Sequence, residues 1–445
     1  MSYKLLVQNV LNHKSTLAIW GLSATTKKIL QENSSLCTRV DFIIESDSSL
    51  HNQLFKNKKI LSLEECLAQE NLLLILWGNH VQSMALTLQN KGFKNFLIDY
   101  EHSKNYFPQT LVVKLDYLKQ TKDPHNFNYK FCDTVIEYCT KNSIECHIKP
   151  YAWWQKGETK ENIFDHYLLY SPELPKDTLH FSYHSVGKSN PQIFRWKESH
   201  LYNTITFDTN GYSGWSSLTK NPELVFSKVQ SKYLVQNHFE KLQNKYVHKN
   251  LSKYQQTHSD FQFPEQFIFF PLQTFDDTVM LHSYFSPFDL LQDIVTILNK
   301  KNIPLVIKRH PRCQNEKLQK LLLKYENQKK IILFSGSIHD ALAKASTVYV
   351  INSGVGFEAL IHLKPVITFG KSDYMQVTKN IKNLAELNTN PWHELSQEHE
   401  EKIKQFLYYY TNEKSIEIGK VKIKKKVHSF VIDYINKEHY ASSFK

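Results

Sequence analysis

The chain has no paired cysteines, no long apolar run and no complete glycine fingerprint, and each absence closes off a class of protein. Its six cysteines (Cys37, Cys66, Cys132, Cys139, Cys146 and Cys313) are scattered, with no C-x-x-C pair. That argues against a zinc site or a disulfide framework and for a reducing compartment. No stretch approaches the roughly 18 apolar residues of a spanning helix. The opening M-S-Y-K-L-L-V-Q-N-V-L carries too short an apolar run for a signal peptide. The expectation is a cytoplasmic protein, resting at most on the inner face of a membrane. No internal repeat is evident. The turn G-L-S-A-T-T after the first predicted strand lacks the second and third glycines of G-x-G-x-x-G. A dinucleotide site there competes with a structural or docking role.

What is present is a chain of 445 residues, 41% hydrophobic, with 55 Lys and Arg against 43 Asp and Glu. The length suffices for two or three domains with a substantial core. The excess of 12 positive charges favours anionic partners such as nucleotides, acidic glycans or anionic lipid. A solvated lysine-rich surface accounts for it equally. No nucleic-acid-binding module is recognisable.

Strand and helix signals alternate along most of the chain, which predicts parallel sheets with crossover helices. Residues 1–110 read as a small Rossmann-like α/β unit. Residues 111–255 read as a first lobe and 256–445 as a second lobe with terminal helices. Within these, 100–130 reads as a linker, 166–170 as a strand, and the polar stretch Ser252–Phe263 as a linker between lobes. Glu223–Asn250 has helical spacing. Helices are also predicted around 394–410 and 427–436.

Chemistry concentrates at predicted strand exits. F-P-L-Q-T-F-D-D (270–277) ends a strand in acids, and Asp276 and Asp277 are both candidates for a reactive carboxylate. K-R-H-P (308–311) ends another; Pro311 keeps His310 extended. N-S-G-V-G-F-E-A-L (352–360) passes from a strand into a helix whose capping Ser353 leaves N–H groups for an anion. Gly354 and Gly356 suggest close approach, and Glu358 is placed to accept ribose hydroxyls. Upstream, F-R-W-K-E-S-H-L and F-D-T-N-G-Y-S-G-W (194–201 and 207–215) mix Arg195, Glu198, His200, Asp208 and Tyr212 with glycines and aromatics. That mixture suits sugars.

Together, P-L-Q-x-x-x-D, K-R-H-P and N-S-G-V-G-F-E-A-L-x-x-x-K-P-V-I-x-F-G resemble the bacterial capsule polysaccharide biosynthesis family, of the β-Kdo transferase type. The likeness spans roughly residues 175–375. W-K-E-S-H-L and F-D-x-x-G-Y-S-G resemble its acceptor-side motifs, whereas its more usual D-G-F-x-R-S segment is not intact. The resemblance implies a GT-B fold, two Rossmann-like lobes facing a cleft, here with the small N-terminal unit added. It implies a CMP-activated ulosonic acid donor, a glycan or glycolipid acceptor and retention of configuration. It suggests donor contacts from Lys308, His310, Ser353, Gly354, Gly356 and Glu358. Chemistry falls to Asp277, Glu198 and His310, and the acceptor side to Arg195, Asp208 and Tyr212. No metal or other cofactor is expected, since cationic groups and helix N–H groups can stabilise a phosphate leaving group. Two other readings use the same motifs: a CDP-polyol phosphotransferase, and a non-catalytic nucleotide-sugar-binding protein of an export complex. The lysine run Lys420–Lys426 suggests weak contact with anionic membranes. The unit 1–110 lies outside the resemblance and is expected to be dispensable for donor hydrolysis.

Overall fold

The computed structural model describes residues 10–11, 14–78, 80–93, 95–98, 111–118, 128–150, 174–226, 231–275 and 277–443. Most of the predicted linker 100–130, the predicted strand at 166–170 and Asp276 lie outside them.

The first sheet takes its strands in the order β3-β4-β2-β1-β5-β6. They are β1 (Thr16–Trp20), β2 (Phe42–Ile44), β3 (Leu54–Phe55), β4 (Lys58–Leu61), β5 (Leu72–Leu76) and β6 (Phe96–Ile98). All pairs are parallel except β3 with β4. The run L-L-L-I-L of β5 is buried at every position, as a parallel strand covered on both faces requires. Helix α1 (Ala24–Glu32) follows β1, with Ser23 accepting from the Thr26 amide as its cap.

The second sheet holds β7 (Val112–Tyr117), β8 (Glu145–Pro150), β9 (Thr178–Tyr183), β10 (Ile193–Glu198) and β11 (Thr204–Asp208). Helix α2 (Asn128–Lys141) connects β7 to β8. The periodicity over Glu223–Asn250 resolves into a 3-10 turn (Pro222–Val225), helix α3 (Lys232–Leu242) and a π-turn (Gln243–Val247). Pro222 begins the first of these, and residues 227–230 between them lie outside the described residues.

The third sheet is wholly parallel: β12 (Ile268–Pro271), β13 (Leu305–Lys308), β14 (Ile332–Leu333), β15 (Thr347–Val350), β16 (Val366–Thr368) and β17 (Lys379–Asn380). Its order, β14-β13-β12-β15-β16-β17, reverses direction between β12 and β15. Helices α4 (Pro287–Lys300), α5 (Glu316–Asn327), α6 (Ile338–Lys344) and α7 (Gly354–Ile361) make the crossovers. In α4, Leu290, Leu291, Ile294, Val295 and Leu298 form the buried stripe that a 3.6-residue period predicts. The fold is therefore GT-B-like, with the second and third sheets facing each other across a cleft and the first sheet appended.

The chain does not end where the predicted boundaries put it. After α8 (Gln397–Tyr409), strand β18 (Ser415–Glu417) pairs antiparallel with β11 of the second sheet. Helix α9 (Lys420–Ser443) then packs on α2 and β6. The last segment thus belongs with the first lobe, not the second. Its apolar residues, among them Val427 and Val431, complete a core shared by both units: Leu74, Leu76 and Phe96 of the first sheet with Val113, Phe181 and Phe194 of the second. Pairing of β18 reverses the chain onto that face, and local sequence carries no signal for it.

The same packing pairs part of the lysine run. Lys420 and Lys424 reach Glu137 at 3.3 and 2.7 Å, Lys422 reaches Glu417 at 2.9 Å, and Lys426 lies 3.9 Å from the Phe207 ring centre. Lys425 stays exposed. Glu137 and Glu417 thereby offset part of the run's charge, while Lys420 and Lys422 stay largely exposed. Among the described residues no helix is long and apolar enough to cross a membrane.

Nor is the first unit separable in the way the sequence suggests. Deleting residues 1–110 would bare the apolar face it shares with α9. We expect that truncation to aggregate, measured by soluble yield and light scattering. A monomeric product that melts cooperatively would show the opposite.

Candidate active site

The carboxyl ends of β12, β13 and β15 open into a cleft of about 340 Å³. Open parallel sheets bind ligands where strand order reverses, because the two flanking crossovers diverge there and leave a crevice. The opposite wall comes from the first lobe, at the end of β10 and the turn after β11.

His310 leaves β13 and lines the cleft. The Arg312 amide donates to its Nδ1 at 3.1 Å, so in the neutral ring Nε2 carries the proton and can donate. Burial lowers the His310 pKa, against the pull of the Asp277 charge. Asp277 is exposed to the cleft and caps a 3-10 turn (Thr278–His282), accepting from the Val279 amide through Oδ1. Ser353 caps α7 and lines the cleft with Gly354. Glu358, one turn into α7, is buried, lines the cleft, and has no partner for Oε1. Burial pushes its pKa up to about 8, against the Ser252 hydroxyl and the Lys253 charge.

Two expected donor contacts differ. Gly356 does not line the cleft: a Cβ there would lie 2.6 Å from the Tyr374 hydroxyl and 2.9 Å from Val350, so its smallness serves packing behind the helix. Lys308 lines the cleft, but its ammonium donates to the Ser335 and Gly336 carbonyls at 2.8 and 2.6 Å. It holds the loop between β14 and α6 in place.

From the first lobe, Glu198 projects off β10 into the cleft. It accepts from Tyr183 Oη at 2.6 Å and from Asn128 Nδ2. Burial raises its pKa, but the Lys197 charge, the Tyr183 bond and the Lys253 charge outweigh that and leave it below the usual value. Tyr212 also lines the cleft, stacked on His184 at 4.7 Å. Arg195 and Asp208 do not. Arg195 is buried and donates to the Thr209 and Lys188 carbonyls and to Ser185 Oγ. Asp208 gathers the Asn210 and Ser217 amides and the Lys414 ammonium. Both shape the loop after β11. Polar, glycine-rich composition reads alike for a sugar-binding loop and for a tightly folded one. This one docks on the Asp277 turn. Tyr212 Oη lies 3.2 Å from Thr278 Oγ1, and a Cβ on Gly214 would come within 2.4 Å of the His282 ring.

The predicted linker Ser252–Phe263 is not a free linker at its start. It runs through the cleft as a strap. Leu251 O is 3.1 Å from His339 Nε2, Gln256 Oε1 accepts from the Ile338 amide at 2.8 Å, and the Tyr254 ring meets His310 edge-on at 5.2 Å. Lys253 is carried among Glu198, Glu358 and Asp277. Burial and the Lys197 charge lower its pKa to about 8, against those carboxylates. Nothing in a polar segment announces such a role.

Unforeseen, too, is the partner of His200, whose Nε2 lies 2.8 Å from Asp373 Oδ1, while Tyr410 Oη donates to Oδ2 at 3.0 Å. This buried group ties the first lobe to the second. Gln273 and Asn352 bond each other at 2.8 Å and lock the ends of β12 and β15 together.

In the first sheet, the amide that would face a phosphate after Gly21 is taken internally: Leu22 N donates to Glu45 Oε2 at 2.7 Å. Asp47 caps a short turn. Those contacts favour the structural reading of that unit. Among the described residues no group of three or more His, Cys, Asp or Glu side chains converges to hold a metal ion.

Glu358 generates a prediction. Its pKa of about 8 when folded exceeds the ordinary carboxylate value of 4.5. The folded state therefore keeps a proton that the unfolded state releases, and stability falls as pH rises between those values. Glu358→Gln removes that loss. Its gain in unfolding free energy, measured by chemical denaturation, should be absent near pH 4.5 and grow up to pH 8, by at most about 1.4 kcal/mol per pH unit. A pH-independent difference between variant and wild type would contradict the assignment.

No curated protein matches the chain. The family model for capsule polysaccharide biosynthesis proteins matches residues 218–431, which include Asp277, His310, Ser353 and Glu358 but not Glu198. Similar solved structures include the beta Kdo 2,7 transferase KpsC of Thermosulfurimonas dismutans, 16% identical, covering 72% of this chain and 99% of that one, with a TM-score of 0.41. The beta Kdo 2,4 transferase KpsC of the same organism is 15% identical, covering 67% and 91%, with a TM-score of 0.40. The UDP-GlcNAc 2-epimerase of Methanocaldococcus jannaschii is 13% identical, covering 88% and 99%, with a TM-score of 0.25. Residues 218–431 of this chain thus match the capsule polysaccharide biosynthesis family.

Proposed function

We propose that this protein is a retaining glycosyltransferase that moves Kdo, or a related ulosonic acid, from a CMP-activated donor to a glycan or glycolipid at the cytoplasmic face. The observation that carries the reading is the convergence of Glu198, Asp277, His310, Ser353 and Glu358 on one interlobe cleft. The amino end of α7 receives the phosphate, where helix N–H groups favour negative charge. His310 donates to it from Nε2. Glu358, with one oxygen unpartnered, accepts from the ribose hydroxyls.

The chemistry is a double displacement. A carboxylate oxygen of Asp277 attacks the anomeric carbon as its bond to the CMP phosphate breaks, and CMP leaves. CMP is a weakly basic leaving group and needs no proton. The acceptor hydroxyl then attacks the same carbon, Glu198 takes its proton, and Asp277 departs as the free carboxylate. Two inversions give retention. Glu198, held below the usual carboxylate range, is ionised at neutral pH and suited to act as that base.

His310→Ala should abolish transfer and weaken CMP binding while the protein stays folded. Asp277→Asn should lose at least about 100-fold in turnover while keeping CMP affinity, since removing a reacting group leaves ground-state binding intact. Calorimetry with CMP and release of CMP from CMP-Kdo measure the two effects. Unchanged turnover in both variants would remove these residues from the chemistry. Turnover of CDP-glycerol in place of CMP-Kdo would replace the reading with polyol phosphate transfer.

A further inference from the structure

The donor proposed above carries two anionic groups, the phosphate and a carboxylate bonded directly to the anomeric carbon. That carboxylate must enter the cleft beside Asp277 and Glu198, themselves anionic when ionised. Like charges in a half-buried space repel strongly unless a cation lies between them.

The lysine and arginine side chains lining the cleft are Lys197, Lys253, Lys308 and Arg309. Three are engaged elsewhere. Lys308 holds the Ser335 and Gly336 carbonyls, Arg309 donates to the Cys313 carbonyl, and Lys197 lies over the Tyr212 ring at 4.2 Å. Lys253 makes no hydrogen bond or close ion pair among the described residues, and it feels Glu198, Glu358 and Asp277 only through space. Its backbone is nonetheless fixed. The Leu251 carbonyl before it lies 3.1 Å from His339 Nε2, Gln256 after it accepts from the Ile338 amide, and Tyr254 packs on His310. A cation on a fixed strap, with no partner among the described residues and within electrostatic reach of three acids, is arranged for an anion supplied from outside.

We infer that Lys253 on the interlobe strap binds the carboxylate of the donor's sugar acid and so selects acidic sugars over neutral ones. The inference rests on the proposed donor class. The strap's own anchor makes the pairing productive: Tyr254, next to Lys253, packs on the phosphate-binding His310.

The test compares CMP with CMP-Kdo on the full chain. CMP has the nucleotide and phosphate but no sugar carboxylate. Lys253→Gln should leave CMP affinity within about twofold, and should raise the KM for CMP-Kdo roughly 10- to 100-fold, the scale of a charge-assisted bond. Lys253→Arg should recover part of the loss, and melting temperatures establish that both variants fold. If Lys253→Gln weakens CMP as much as CMP-Kdo, the residue serves the phosphate and the inference is overturned. It is overturned equally if neither ligand is affected. If wild type binds CMP but neither binds nor turns over CMP-Kdo, the donor assignment fails, and the role of Lys253 fails with it.

Discussion

A doubly wound parallel sheet has one place where its connections part, and the site of this protein depends on that constraint. Strands β12, β13 and β15 all point their carboxyl ends there. The residues immediately past each strand are therefore brought together, however far apart they stand in the chain. The locking of Gln273 to Asn352 keeps the ends of β12 and β15 at a fixed spacing. Asn352 also donates to the Val279 carbonyl at 2.7 Å, which extends that order to the turn capped by Asp277. Reactive groups in the second lobe are thus held by backbone and amide geometry, not by one another.

The first lobe is bound to this frame by buried polar contacts. His200, Asp373 and Tyr410 form one, and Lys414 with Asp208 another. Burial alone would raise the Asp373 pKa, but the charge and hydrogen bond of His200 and the bond from Tyr410 hold it low. A buried ion pair of this sort contributes little net stability relative to apolar packing, yet removing one partner is costly. Its value lies in fixing a single arrangement of the lobes. The return of the chain through β18 and α9 serves the same end, since the first lobe's sheet is finished only after the second lobe is built.

Within the cleft, the environments of the carboxylates diverge. Glu198 is flanked by Lys197 and a tyrosine hydroxyl and stays ionised. Glu358 is buried with an unpartnered oxygen and keeps its proton to about pH 8. Two glutamates in one cavity thereby differ in protonation, which on the proposed mechanism suits one to accept a proton and the other to meet ligand hydroxyls. The strap adds Lys253 between them.

The sequence by itself determined the alternation of strands and helices, and hence the class of fold. It also determined the positions of groups that follow a strand directly. Asp277, His310, Ser353, Gly354 and Glu358 were legible because a strand exit can be read locally and the exits of a doubly wound sheet converge. Glu198 was singled out instead by the mixed composition of its segment and by the resemblance, and only the structure puts it at the end of β10. Only the tertiary structure decided the rest. Arg195, Asp208 and Gly356 have the composition of a site, but their contacts are internal, and residue type does not say which way a side chain turns. The lysines of α9 read locally as an unpartnered run, and only the fold brings Glu137, Glu417 and Phe207 from distant elements to meet them. His200 finds Asp373 across 173 residues of chain. Lys253 lies in a polar stretch with no periodicity. Its place among three carboxylates follows from where the strap is pinned, by contacts between residues remote in sequence that no local pattern encodes.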